Sequence, residues 1–112
     1  GPWYVSDKII EENKLVVVQG KNNSELYHTH LTASNINWIA GAPPEKIKNI
    51  TAKIRYRSKD TSCKINYRSN DILVEFENPQ FAVAPGQSIV FYDQAICLGG
   101  GFIETRGNKN IL

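Results

Sequence analysis

The stretch "AICLGGGFIE", residues 95–104, decides which fold class this chain can adopt. Three consecutive glycines, Gly99, Gly100 and Gly101, suit either a phosphate-cradling loop or a length of strand with no room for side chains. A phosphate loop needs a strand, a glycine-rich turn and then a helix whose N-terminal amides face the anion. Here Phe102, Ile103 and Glu104 follow and begin another extended stretch. Neither GK[ST] nor GxGxxG occurs, and no helical pattern follows to supply a dipole. The glycines therefore read as a bulge or sharp bend that lets a last strand close a barrel, or lets another backbone come near.

Upstream of the glycines the chain reads as strand after strand. "NITAKIRYR" puts Ile50, Ala52, Ile54 and Tyr56 on one face and Lys53, Arg55 and Arg57 on the other. After the turn "SKDTS", "CKINYR" repeats the scheme, with Cys63, Ile65 and Tyr67 inward and Lys64, Asn66 and Arg68 outward. "ILVEFENP" sets Ile72, Val74 and Phe76 against Leu73, Glu75 and Glu77, and "APGQS" turns the chain into "IVFYD". Short strands at roughly ten-residue spacing, with no three turns of helical period anywhere, point to an all-β chain. A small antiparallel β-barrel of about six strands is favoured, because closure removes sheet edges that a short sheet would leave open.

"WYVSDK" and "KLVVVQG" flank the polar "IIEEN" as an N-terminal β-hairpin arm would. "LTASNINWI" is ambiguous and reads as a strand with Leu31, Ala33 and Trp38 partly buried. The breaker "GAPPEK" marks the main boundary. The expected division is an arm over residues 1–42, a barrel domain over 43–106 and a polar, frayed tail over 107–112. Trp3 and Trp38 are assigned to packing at the seam between arm and barrel.

With 112 residues the chain can bury a core without staples. Thirteen basic against eleven acidic residues leave a net charge of +2, too little to argue for nucleic acid without local clustering. Cys63 and Cys97 form neither a zinc pattern nor a disulfide framework, and read as two reduced, largely buried thiols. No apolar run approaches the ~18 residues of a membrane span, so the expected location is cytoplasmic. The chain has no methionine and opens in strand-like composition. That suggests an excised piece of a longer protein, with initiator removal and tag scars as competing explanations.

The candidate chemistry is electrostatic. Lys53, Arg55 and Arg57, with Lys64 and Arg68 on the next strand, would crowd one sheet face with like charge, which is destabilising without an anionic partner. Phosphates fit, since arginine grips them with a planar fork of donors. Tyr56 offers a ring or hydroxyl to a ribose or an unstacked base. The alternative, equally weighted from the residues alone, is a solvated face with Tyr56 in the core. His28 and His30 in "YHTH" lack an evident third ligand, so no metal site is assigned.

Taken together, "ITAKIRYRSKDTSCKI" and "FENPQFAVAPGQSIVFYDQAICLGGGFIE" resemble the C-terminal domain of the bacterial tRNA-specific 2-thiouridylases, formerly called tRNA (5-methylaminomethyl-2-thiouridylate)-methyltransferases. "GPWYVSDKIIEENKLVVVQG" and "ASNINWIAG" resemble the end of that family's middle domain and its connection to the barrel. The resemblance spans nearly the whole chain, and its RYR, PGQ…FY and CLGGG blocks are specific only in combination. It implies an enzyme that replaces the uridine O2 by sulfur at the anticodon wobble position. In that chemistry ATP adenylates the base and a cysteine persulfide delivers the sulfur. The ATP loop of SGGxDS type and the catalytic cysteines belong to an N-terminal domain and do not occur here. Cys63 and Cys97 therefore inherit no catalytic role, and this piece alone is expected to be inactive.

The resemblance further implies that Arg55, Tyr56 and Gln87 contact tRNA. Arg57, Lys53 and Lys64 are supported only by sign and proximity. The implied partners are tRNA, the catalytic ATP-pyrophosphatase domain of the same protein and a sulfur-relay protein, with ATP the cofactor of the whole enzyme and no cofactor here. Two other readings compete. One is a structural module that braces the catalytic domain with little RNA contact. The other is an independent barrel enzyme, which ranks below because no acid/base pair, nucleophile set or metal set appears.

Overall fold

A computed structural model describes residues 3–9, 14–19, 26–44, 49–55 and 59–108. Two strands, β1 (Trp3–Ile9) and β2 (Lys14–Gln19), pair antiparallel as the flanks of "IIEEN" predict, from Trp3 opposite Gln19 to Ile9 opposite Lys14. Trp3's side chain lies outside the described residues. The other six strands are β3 (Tyr27–Trp38), β4 (Ile50–Lys53), β5 (Thr61–Tyr67), β6 (Ile72–Phe81), β7 (Ser88–Asp93) and β8 (Ile96–Gly107). They form a closed antiparallel barrel in the order β3-β6-β5-β4-β7-β8, with β8 pairing back onto β3.

The inward faces are those that alternation selects. Ile50, Ala52 and Ile54 from β4 and its exit, and Ile72, Val74 and Phe76 from β6, are all buried. Ile89 and Phe91 of β7 and Ile103 of β8 complete the core with Leu31 and Ala33 of β3. Between those two, Thr32 is also buried, and its hydroxyl hydrogen-bonds that of Thr105 across the β3–β8 seam (2.6 Å). A buried hydroxyl left unpartnered would cost more than this bond contributes, so the pair keeps the seam satisfied.

Residues 27–38 differ from the expected division of the chain. Sequence pattern puts them with the arm, whereas β3 is a barrel strand with β6 on one side and β8 on the other. The Pro43–Pro44 breaker ends this strand's exit without marking the start of the barrel. At the other end β8 runs to Gly107, opposite His30, and Asn108 Oδ1 accepts the Thr29 N–H (3.2 Å). The segment from 107 thus begins inside the ladder, and residues 109–112 lie outside the described set.

The glycine run sits where β8 is squeezed between β3 and β7. A Cβ on Gly99 would collide with the Asn37 carbonyl oxygen, and one on Gly100 with that of Ile89. Register slips on both flanks, between Ser34 and Asn37 on β3 and between Phe91 and Tyr92 on β7. This is the bulged, close-backbone closure that the sequence suggests.

Tyr67 and Cys97 differ from their readings in the sequence. Tyr67 reads as inward but is 46% exposed. It is the last residue of β5, at the barrel mouth, where its ring stands edge-on to Trp38 (6.3 Å) and its hydroxyl donates to the Pro44 carbonyl (3.0 Å). Cys97 reads as largely buried but is exposed, because the bulge at the start of β8 breaks the two-residue period there. Cys63 is half-buried against the core, and desolvation pushes its thiol up to about 12.

Candidate nucleic-acid interface

β4 lies between β5 and β7, and its short alternation aims Ala52 inward and leaves Lys53 half-exposed on the outer face. Beyond the strand Ile54 is still buried, so Arg55 emerges on the same outer side as Lys53. On β7 the approach is set by a turn. Pro85 and Gly86 occupy its centre, Gly86 has φ +91°, and the Gln87 N–H donates to the Ala84 carbonyl (3.1 Å). That is the arrangement of a type II turn, whose third residue needs the left-handed region. Two further bonds clamp the turn to β8: Gly86 N–H to Ile103 O (2.7 Å) and Ile103 N–H to Gln87 O (2.8 Å). The Gln87 side chain is thereby held at the barrel rim, exposed.

These elements meet in a shallow cleft of about 880 Å³ lined by Lys53, Ile54, Arg55, Gln87, Ser88, Val90 and Tyr92. Three of the residues singled out from sequence, Lys53, Arg55 and Gln87, are therefore brought together from two segments far apart in the chain. Both cations rest on aromatic rings. The Lys53 ammonium lies 5.5 Å from the centre of the Tyr92 ring, and the Arg55 guanidinium 5.3 Å from that of Phe81. Arg55 also donates through Nη1 to the Phe81 carbonyl oxygen. Tyr56 and Arg57, the neighbours expected to share this surface, lie outside the described residues.

Lys64 does not join them. The β4–β5 register pairs Ile50 with Cys63 and Ala52 with Thr61, so Lys64 is displaced toward the opposite end of the ladder from Lys53. It faces Glu75 across the β5–β6 ladder, in a separate cleft of about 530 Å³ that Glu77 also lines. Arg68 is held by Asp71 through two bonds, Nε to Oδ1 (2.6 Å) and Nη2 to Oδ2 (2.7 Å). Those bonds hold the Asp71 carboxyl below the usual carboxylate range and push Arg68 up. Near the first cleft, the Thr51 hydroxyl donates to Asp60 (2.7 Å) and is the main cause of that carboxyl's lowered pKa, with the nearby Lys53 charge a smaller one.

His30 contacts Thr29 Oγ1 through Nδ1 (2.7 Å) and lies 3.4 Å from Glu75 through Nε2. Among the described residues no group of three or more His, Cys, Asp or Glu side chains is placed to hold a metal. Sequence reasoning passed over Tyr92, Ser88, Val90 and Phe81. Their only signal was an aromatic pair in "VFY" and a phenylalanine before the turn, and neither reveals the cross-strand register that seats cations on them.

A family comparison agrees with this architecture. Residues 28–103 match the model of the aminomethyltransferase beta-barrel domain, and the chain belongs to that family. The match begins almost at the first residue of β3. More particularly, the chain is similar to proteins named tRNA-specific 2-thiouridylase MnmA. It is 46% identical over 108 residues to that of Alkalilimnicola ehrlichii, 49% over 107 to that of Idiomarina loihiensis, and 51% over 106 to that of Ruthia magnifica. These alignments cover 95%, 94% and 94% of this chain but 30%, 29% and 29% of the relatives. The chain thus spans under a third of the length of the curated relatives it matches.

Proposed function

We propose that this barrel is the tRNA-holding module of an ATP-dependent tRNA 2-thiouridylase. The observation that carries the reading is the cleft itself, where Lys53, Arg55 and Gln87 converge and none of the described lining residues is acidic. Cations on a sheet face bind the phosphate backbone and fix the register of an RNA without reading its bases. Gln87, at the rim, both donates and accepts, so it suits a ribose hydroxyl or a base edge. In this reading Tyr56 and Arg57 keep the tRNA-contacting part that the sequence assigns to them. Lys64, beside Glu75, is dropped from it.

In the whole enzyme the thiolation of the wobble uridine, the ATP site and the docking of a sulfur-relay protein belong to other domains. The barrel acts by holding tRNA against the catalytic domain, in the cytoplasm, and is inactive alone. One observation favours the second reading, a brace for the catalytic domain: Arg55 is already engaged by the Phe81 carbonyl and ring. The test is tRNA binding by this chain across a salt titration, beside Lys53→Ala and Gln87→Ala. Binding that weakens with salt, with a log–log slope shallower by about 0.9 in Lys53→Ala, supports the tRNA-holding module. No binding at low salt by the folded wild type supports the brace.

A further inference from the structure

The outer face of the β4–β7 ladder carries one aromatic ring that phosphate binding does not use. Lys53 pairs with Val90 in that ladder, and Tyr92 follows two residues along β7 on the same face. All three line the cleft of about 880 Å³, with Ser88 and Gln87 at its other end. The Lys53 ammonium covers the Tyr92 ring at 5.5 Å.

We propose that Tyr92 is a stacking platform for an unpaired base of single-stranded RNA, with Lys53 as its removable cover. The inference rests on the reading of this cleft as an RNA surface and names the part of the RNA that it takes. A cation over a ring at a partly exposed site is a weak contact. A phosphate attracts the same ammonium more strongly, because charge meets charge rather than a quadrupole. When Lys53 turns to a phosphate, the face of Tyr92 is uncovered next to the apolar edge of Val90. Every base has a π-face, so stacking there tolerates any sequence. Paired RNA keeps its bases stacked within the helix and has no free face to offer. The cleft therefore separates unpaired from paired segments, which backbone contacts alone do not do.

The test is fluorescence anisotropy with a labelled oligouridylate, an abasic phosphodiester of equal length, and tRNA. The proteins are the wild type, Tyr92→Leu, Tyr92→Phe and Lys53→Gln, each checked for folding by thermal denaturation. Tyr92→Leu is expected to weaken oligouridylate binding by about 5- to 150-fold and to leave the abasic oligomer unchanged. Tyr92→Phe keeps the ring and should keep the affinity. Lys53→Gln should flatten the salt slope for both oligomers by about 0.7. The platform is overturned if Tyr92→Leu affects both oligomers equally or neither. It is likewise overturned, with the tRNA-holding reading intact, if the wild type binds tRNA in a salt-dependent way but prefers oligouridylate no more than the abasic strand. If the wild type binds none of the three at low salt, the tRNA-holding reading itself fails.

Discussion

Adjacent stretches of this barrel carry the same charges and treat them differently. On and just beyond β4, Lys53 and Arg55 lie over the rings of Tyr92 and Phe81. On and just beyond β5, Lys64 faces Glu75 and Arg68 is gripped by Asp71. A facing carboxylate offsets a cation's charge toward an incoming anion, whereas the Tyr92 ring leaves that of Lys53 largely in place, its coupling to Asp60 being a minor one. The number of lysines and arginines on a face therefore says little about anion binding. What stands beside each one decides it.

The largest effect that sharpens this contrast concerns the floor of the carboxylate cleft. Cys63 lines that cleft, and its thiol is pushed up to about 12 from an ordinary 9.0 by burial. At neutral pH its thiolate fraction, and with it alkylation, should fall about 10³-fold below that of an ordinary thiol. Peptide mapping after brief labelling should find the reagent on the exposed Cys97. Comparable labelling of Cys63 would mean that the floor is wet. Because the folded state holds this proton more tightly, its contribution to stability is complete below pH 9.0 and is lost as pH rises toward 12. A Cys63→Ala variant should lack that alkaline loss in denaturant titrations.

Charge reversal comes next. Lys53→Glu is expected to weaken tRNA binding about tenfold at low salt, while Lys64→Glu changes it little. Equal losses would break the comparison outright. Removing the carboxylates should move the second cleft toward the first: Glu75→Gln with Glu77→Gln is expected to raise tRNA affinity by about threefold at low salt. The smallest effect belongs to the Arg68–Asp71 pair, which is exposed and screened. Its carboxyl is held below 3.8, so its stabilisation is present above that pH and lost only as pH falls further. Asp71→Asn should leave the melting temperature at neutral pH unchanged within error and shift only the acid limb of unfolding.

Much of the fold was legible because two-residue alternation depends on chain chemistry alone. Ile50, Ala52 and Ile54, and Ile72, Val74 and Phe76, point inward in sequence and in structure alike. The three glycines were legible for a related reason, since nothing after them can form the helix that a phosphate site needs. Register was not legible. It separates Lys64 from Lys53 and seats Lys53 on Tyr92, and it depends on pairings between strands that no local pattern encodes. "LTASNINWI" was legible as an ambiguous strand, but its place in the barrel was not, because its pairing with β6 and β8 is likewise a matter of register. In the candidate site, Lys53, Arg55 and Gln87 were named from sequence and the aromatic floor was not.

The β3–β8 seam also sets an order on the making of the molecule. Thr32 and Thr105, which hydrogen-bond across it, stand 73 positions apart in the chain. On a ribosome the first barrel strand emerges with one edge open and keeps it open until the last strand has been synthesised. Contacts between strands so distant in sequence form slowly, and an unpaired strand edge is a template for the wrong partner. A chain stopped before the glycine run would carry the inward faces of the first five barrel strands, lack that of Ile103, and have no means to close on itself. Its fate would be aggregation or the proteolytic machinery, however well its first five barrel strands were folded.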